Sequence, residues 1–153
     1  MYRIIVLILL LIAVCIGSVF IFLQEKWEAS PVFTYQTVDA KRSLQTYYGV
    51  GREKEMMAIG SLAYYENGQN TWLFWGEYEE LIGQDVQIYA EKQDGQEKVK
   101  AVKEDGLSLK KGIWGADAHV EATVELPETG LWKIVLKTEK KKLGEIVVKI
   151  DYL

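Results

Sequence analysis

One apolar segment near the amino terminus constrains this chain more than any other feature. The run begins at Ile4 and ends at Leu23, carries no charge, and is interrupted only by Cys15, Gly17 and Ser18. A helix of this length rises about 30 Å, which is enough to cross the hydrocarbon core of a bilayer. The segment therefore predicts a membrane-spanning anchor.

The residues on either side of the segment predict its orientation. Arg3 and the terminal amine outweigh Lys26, so we expect the amino end in the cytoplasm and the rest of the chain outside. Trp27 lies where an aromatic side chain would contact the membrane–water interface. We therefore expect a single-pass protein of the cell membrane with an extracytoplasmic carboxyl-terminal domain.

Two other fates of the segment remain open at this stage. A lipoprotein signal would place a modified cysteine after small residues; residues 11–15 have the right length, but Val14 is bulky. A cleaved secretory signal would end its apolar part after about 7–15 residues, whereas residues 19–23 continue the run. Lipidation at Cys15, cleavage and retention as an anchor all put the domain outside the membrane.

Charge and cysteine content restrict the function of the remaining chain. Residues 1–23 form the predicted anchor, 24–31 a short linker, and 32–153 one domain large enough for a proper core. The chain has 18 Lys plus Arg against 22 Asp plus Glu, a net charge of −4 that argues against nucleic-acid binding. Its single cysteine lies in the anchor, so the exported domain must be stable without disulfides.

Alternating apolar and polar residues predict an all-β domain. Residues 119–126, 131–138 and 143–150 each place apolar side chains on one face and polar ones on the other, as in an antiparallel sheet half exposed to water. A helical turn is predicted at 77–81. Further strands are predicted at Val32–Val38, Met56–Gly60, 71–75, 84–91 and 97–103. Short strands separated by turn signals are typical of a β-sandwich.

Four sequence pieces resemble a known family. They are Thr-Trp-Leu-Phe-Trp-Gly at 71–76, Gly-Ala-Asp-Ala-His at 115–119, Leu-Pro-Glu-Thr-Gly-Leu-Trp-Lys at 126–133 and Gly-Glu-Ile-Val-Val at 144–148. Over residues 49–150 the chain is similar to an uncharacterised family of small exported proteins from Bacillus and related bacteria. The resemblance implies an immunoglobulin-like sandwich on a lipoprotein or membrane-anchored stem, and it implies no activity. Many relatives have a histidine where this chain has Leu73, which weakens any metal role.

Asp117, His119 and Glu121 form the first candidate site. Residues two apart on a strand share a face at about 7 Å, so these side chains could converge on a metal with other ligands. A solvated strand face needs the same polar residues. His119 is the only histidine and the domain has no thiol, so zinc would lack its usual ligands, and weak calcium binding is the remaining metal hypothesis.

Aromatic residues form the second candidate site. Trp72 and Phe74 share one face of their predicted strand, and Leu73 and Trp75 share the other. Because one face of a two-layer sandwich looks outward, Trp72 or Trp75 could stack on a sugar or on a partner. Core packing is the simpler interpretation, with loops or the segment around Trp114 covering the outer face.

Lysines of the last predicted hairpin form the third candidate site. Lys133 and Lys137 point outward from their strand, and residues 140–142 add three more lysines. This basic strip could contact an anionic wall polymer or lipid headgroups. Lysines in such positions also protect an exposed hairpin from edge-to-edge pairing.

The sequence predicts no enzyme and no cofactor. One histidine, no cysteine in the domain and no Gly-x-Ser-x-Gly motif provide no nucleophile with a base, and no glycine-rich loop is suited to phosphate. We therefore expect a non-catalytic interaction or accessory module at the bacterial cell envelope, with an envelope protein or wall polymer as partner. Alternatives are a carbohydrate or wall-polymer binding module and a weak metal-dependent site.

Overall fold

The alternating segments form antiparallel strands in two sheets. The computed structural model describes residues 27–38, 41–95 and 98–151. In this part of the chain the strands are β1 (Val32–Val38), β2 (Leu44–Arg52), β3 (Met56–Gly60), β4 (Gly68–Phe74), β5 (Gln87–Lys92), β6 (Lys98–Lys100), β7 (Lys110–Lys111), β8 (Ala118–Val124), β9 (Gly130–Lys137) and β10 (Lys142–Ile150). One sheet has six strands in the order β1-β2-β3-β4-β8-β7, and the other has four in the order β10-β9-β5-β6.

The main core lies between the two sheets. Every residue that alternation predicted as inward in the carboxyl third is buried: Val120, Ala122, Val124, Leu126, Trp132, Ile134, Leu136, Ile146, Val148 and Ile150. Trp72 and Phe74 of β4 complete this core from the six-stranded sheet. Burial of one such side chain stabilises the folded state by roughly 1.5–3 kcal/mol. Apolar burial between the sheets is therefore the main interaction that holds them together.

A second apolar cluster lies on the opposite face of β3 and β4. It centres on Met57, Ile59 and Leu73, all buried, and is covered by the half-buried side chains Phe33, Tyr35, Tyr47, Trp75, Ile113, Trp114 and Ala116. The six-stranded sheet therefore carries apolar side chains on both faces, and its outer face is covered by residues of the sheet's own margins.

The six-stranded sheet curls so that its two margins meet over this cluster. The Tyr35 hydroxyl on β1 donates a hydrogen bond to the Trp114 carbonyl, which follows β7 at the other end of the sheet. The rings of Tyr47 and Trp114 stack with centroids 4.9 Å apart and planes 23° apart. These contacts partly close the sheet around its outer cluster.

Most of the predicted elements are present. The strands predicted at Val32–Val38 and Met56–Gly60 have those bounds, and the turn predicted at 77–81 contains a 3₁₀ helix at Glu79–Leu81. A second 3₁₀ helix, at Ser61–Tyr64, was not predicted, and neither were β2 and β7. The prediction of an all-β antiparallel sandwich is confirmed.

The predicted anchor between Ile4 and Leu23 lies outside the described residues. Within 27–38, 41–95 and 98–151 the structure contains no helix that could span a bilayer. The end of the predicted linker is described, and it lies against the four-stranded sheet. The Ser30 N–H donates to the Val147 carbonyl at 2.7 Å, and the Val147 N–H donates to Ser30 Oγ at 3.0 Å.

Candidate functional site

Two of the motif pieces meet where β4 ends and β8 begins. The Trp75 indole N–H donates to the Gly115 carbonyl at 2.8 Å, and the Gly76 N–H donates to Asp117 Oδ2 at 2.7 Å. The Asp117 N–H donates in turn to the Phe74 carbonyl at 2.9 Å. Trp75, Gly76, Gly115 and Asp117 thus form a hydrogen-bonded clasp between the two strands, and its motif residues have a structural role.

The structure does not assemble the predicted metal site. His119 is 8% exposed, and its Nδ1 lies 2.7 Å from the Lys111 carbonyl, so this nitrogen carries the proton. Glu121 Oε2 forms an ion pair with Lys110 Nζ at 2.9 Å, and the hydrogen bond from Lys110 lowers the pKa of Glu121. The described residues contain no group of three side chains of the metal-binding types close enough to hold an ion.

The aromatic residues at 72–75 do not form an exposed surface. Trp72 is 0% exposed and belongs to the main core, as the simpler core-packing interpretation expected, so it is not available to stack on a ligand. Trp75 and Trp114 are half-buried and cover the second apolar cluster. The alternative, in which the Trp114 segment covers the outer face, is confirmed.

The exposed apolar side chains are instead concentrated on one face of the β1–β2 hairpin. Val32, Val38, Leu44 and Tyr48 are 40%, 58%, 63% and 48% exposed, and the pairing of β1 with β2 puts all four on the same face. We call the surface formed by these four residues, together with the adjacent Tyr64, the open face.

Tyr64 extends the open face beyond the hairpin. Its ring is 57% exposed and lies 5.7 Å from that of Tyr48, centroid to centroid. Sequence reasoning missed this surface because β2 was not recognised. The even spacing of Leu44, Tyr48 and Val50 was the available signal, although Tyr47 on the opposite face obscures it.

The lysines of the basic strip are distributed over different contacts. Lys133 Nζ lies 4.3 Å from the centre of the Trp27 ring, and Lys137 Nζ lies 5.4 Å from that of Tyr89. Cations at such distances interact favourably with an aromatic face. The contact with Trp27 also holds the stem, defined here as residues 27–31, against β9.

A cleft of about 900 Å³ lies beside the clasp, with Tyr78, Asp117 and Lys141 in its wall. Burial raises the pKa of Tyr78, and the negative charge of Asp117 raises it further. The Tyr78 hydroxyl donates to the Leu143 carbonyl at 3.4 Å, and Lys141 Nζ lies 4.7 Å from the ring centre. The titratable side chains lining the cleft are carboxylates, lysines and one tyrosine.

The fold and these surfaces define an all-β antiparallel sandwich with an apolar hairpin face. The chain belongs to the family of the domain of unknown function DUF4871, which it matches over residues 20–148. Membership of a family of unknown function is thereby confirmed.

The fold is also similar to an X-ray crystal structure of a "Putative Lipoprotein from Bacillus anthracis". The TM-score is 0.51 at 18% sequence identity, covering 82% of this chain and 87% of that chain. A likeness at this identity concerns the fold alone. No curated protein matches the chain.

Proposed function

We propose that this protein is a membrane-anchored, extracytoplasmic module that binds another protein of the bacterial cell envelope without transforming it. The apolar run from Ile4 to Leu23 supports the anchor. The similar Bacillus anthracis structure, described as that of a "Putative Lipoprotein", agrees with a location at the membrane surface. An immunoglobulin-like type of sandwich is part of the proposal, because the chain crosses between the sheets from β4 to β5, β6 to β7 and β8 to β9.

The open face is the observation that carries this function. Single exposed apolar residues are normal on a protein surface, whereas their concentration on one face indicates an interaction site. The face is mixed, because the exposed Gln36–Thr46 pair lies between Val38 and Leu44 at one end and Tyr48 at the other. Among the described residues seven large apolar side chains are exposed, and five of them form the open face: Val32, Val38, Leu44, Tyr48 and Tyr64. The same face of β2 reaches the main core at Val50, so the open face is the part of this surface that the four-stranded sheet leaves uncovered.

In-cell photocrosslinking tests the proposal. A photoreactive amino acid at Leu44 should trap one recurrent envelope protein, because a partner would lie against this side chain. Ile82 is the matched control, since it is also an exposed large apolar residue, at 39%, but lies outside the open face. Adducts that are absent at Leu44, or equal at both positions, would contradict a specific protein partner here.

Wall-polymer binding is the second candidate function. The specific observation is the exposed pair Tyr48 and Tyr64, because neighbouring aromatic rings provide stacking surfaces for sugars. Titration of soluble wall fragments into the full chain, followed by calorimetry, should show binding that Tyr48→Ala and Tyr64→Ala each weaken. Tyr89→Ala on the outer face of the other sheet is the control. Equal affinities for all variants would exclude the tyrosine pair as the binding surface.

A further inference from the structure

The edges of the two sheets differ in charge. In the described part of the chain the edge strands are β1 and β7 of one sheet and β6 and β10 of the other. Three of them carry lysines: Lys98 and Lys100 on β6, Lys110 and Lys111 on β7, and Lys142 and Lys149 on β10. Charged side chains, lysine above all, prevent an edge strand from pairing with another chain.

Strand β1 lacks this protection. Its sequence, Val-Phe-Thr-Tyr-Gln-Thr-Val, spans seven residues with no charge and no proline. Its inner edge pairs with β2, and no described strand pairs with its outer edge. Such a strand exposes a row of backbone donors and acceptors that another strand can satisfy.

We propose that β1 pairs antiparallel with β1 of a second copy of this chain, centred on Tyr35. The strand is nearly self-complementary about this residue. Val32 then lies opposite the partner's Val38, and Thr34 lies opposite the partner's Gln36. No like charges meet, and apolar side chains face each other at both ends. The contact has two-fold symmetry, so each of these pairs occurs twice.

This register also explains part of the exposed apolar surface. Val38 pairs with Leu44 inside one chain, and the partner's Val32 would continue the same row. In an antiparallel pair of this kind, side chains opposite each other project to the same side of the sheet. The two open faces would therefore join into one continuous surface on a twelve-stranded sheet. The pairing depends on the edge of β1, not on the identity of any other partner.

Charge placement on β1 tests both the dimer and its register. The full-length chain in detergent should have a protein mass of twice 17.5 kDa by light scattering. The double variant Thr34→Lys/Gln36→Lys puts lysines opposite each other twice, so its dimer dissociation constant should rise at least about tenfold. Thr34→Glu/Gln36→Lys puts opposite charges in the same places and should restore dimerisation.

The matched control adds the same charges one strand further in. Thr46→Lys/Tyr48→Lys places two lysines on the same face but on β2, and it should remain dimeric. A wild-type mass of 17.5 kDa, or a Thr34→Lys/Gln36→Lys dimer as tight as wild type, would overturn the proposal. A Thr34→Glu/Gln36→Lys variant that remains monomeric, with a wild-type circular dichroism spectrum, would overturn the register.

Discussion

Asp117 is a motif residue whose local contacts explain its presence. The Asp117 carboxylate accepts a hydrogen bond from the Gly76 N–H. Gly76 has a φ of 136°, a conformation that side-chain-bearing residues rarely adopt. The carboxylate therefore fixes a turn that only glycine forms readily. The residue pattern in the sequence suggested a metal ligand, but the structure gives this side chain a backbone partner instead.

Replacement of Asp117 should cost stability and have no effect on metal binding. Asp117→Ala removes the acceptor of the exposed Gly76 N–H and should lower the free energy of unfolding by about 0.5–1.5 kcal/mol, measured by urea denaturation. Asp117→Asn keeps a side-chain oxygen and should lose less. Calcium should not raise the melting temperature of either protein. A calcium-dependent rise in wild type that Asp117→Ala abolishes would instead support the metal hypothesis.

Glu104 should make part of the stability depend on pH. The hydrogen bond from the Thr123 side chain is the main cause that lowers the pKa of Glu104. The backbone N–H of Glu104, the Thr123 N–H at 3.0 Å from the carboxylate and the Lys100 charge lower it further. A lowered pKa stabilises the fold above the ordinary value of 4.5, and this contribution is lost as the pH falls through the folded-state pKa.

Glu104→Gln tests this contribution, because it removes the ionisable group. It should be less stable than wild type by up to about 1 kcal/mol at pH 7, and the difference should narrow at pH 3. Urea denaturation at both pH values measures it, with Glu139→Gln at an exposed turn as the control. A difference that is equal at the two pH values would show that ionisation of Glu104 is not its cause.

At the scale of elements, the ends of the six-stranded sheet are joined through Tyr35. The hydrogen bond from the Tyr35 hydroxyl to the Trp114 carbonyl links β1 to the segment after β7. Both residues pack over the second apolar cluster, which includes Leu73. Tyr35→Phe keeps the ring and removes the donor, so the free energy of unfolding should fall by about 0.5–1.5 kcal/mol. Tyr48→Phe, at an exposed ring, should have no measurable effect in the same denaturation experiment. Equal stability of Tyr35→Phe and wild type would show that the bond does not hold the sheet closed.

Strands with one polar face were predicted from the sequence, whereas β2, which carries apolar side chains on both faces, was missed. Strands β8, β9 and β10 have one polar face, so period-two alternation reveals both their positions and their inward side chains. Strand β2 has Tyr47 over the second cluster and Tyr48 on the open face, which hides the alternation, and β7 is only two residues long. Whether the outer face of β4 is exposed could not be predicted for a related reason. Both faces of this strand are apolar, and the residues around Trp114 that cover the outer face are far away in the sequence.

At the scale of the whole molecule, the stem connects the domain closely to its predicted anchor. Trp27 and Ser30 contact β9 and β10, whereas the linker was predicted as a simple polar connector. The stem therefore lies against the four-stranded sheet, with Trp27 on its outer side beside Lys133.

The fate of the apolar segment decides how the domain is held there. We expect the segment to be retained, because Val14 is bulky before Cys15 and the apolar run continues to Leu23. Intact-mass spectrometry of the protein extracted from membranes should then give the full 17.5 kDa chain, and Cys15→Ser should stay in the membrane fraction. Loss of residues 1–14 together with an added lipid mass, abolished by Cys15→Ser, would establish lipidation. A shorter chain released from the membrane would establish cleavage. Either result would contradict a retained helical anchor.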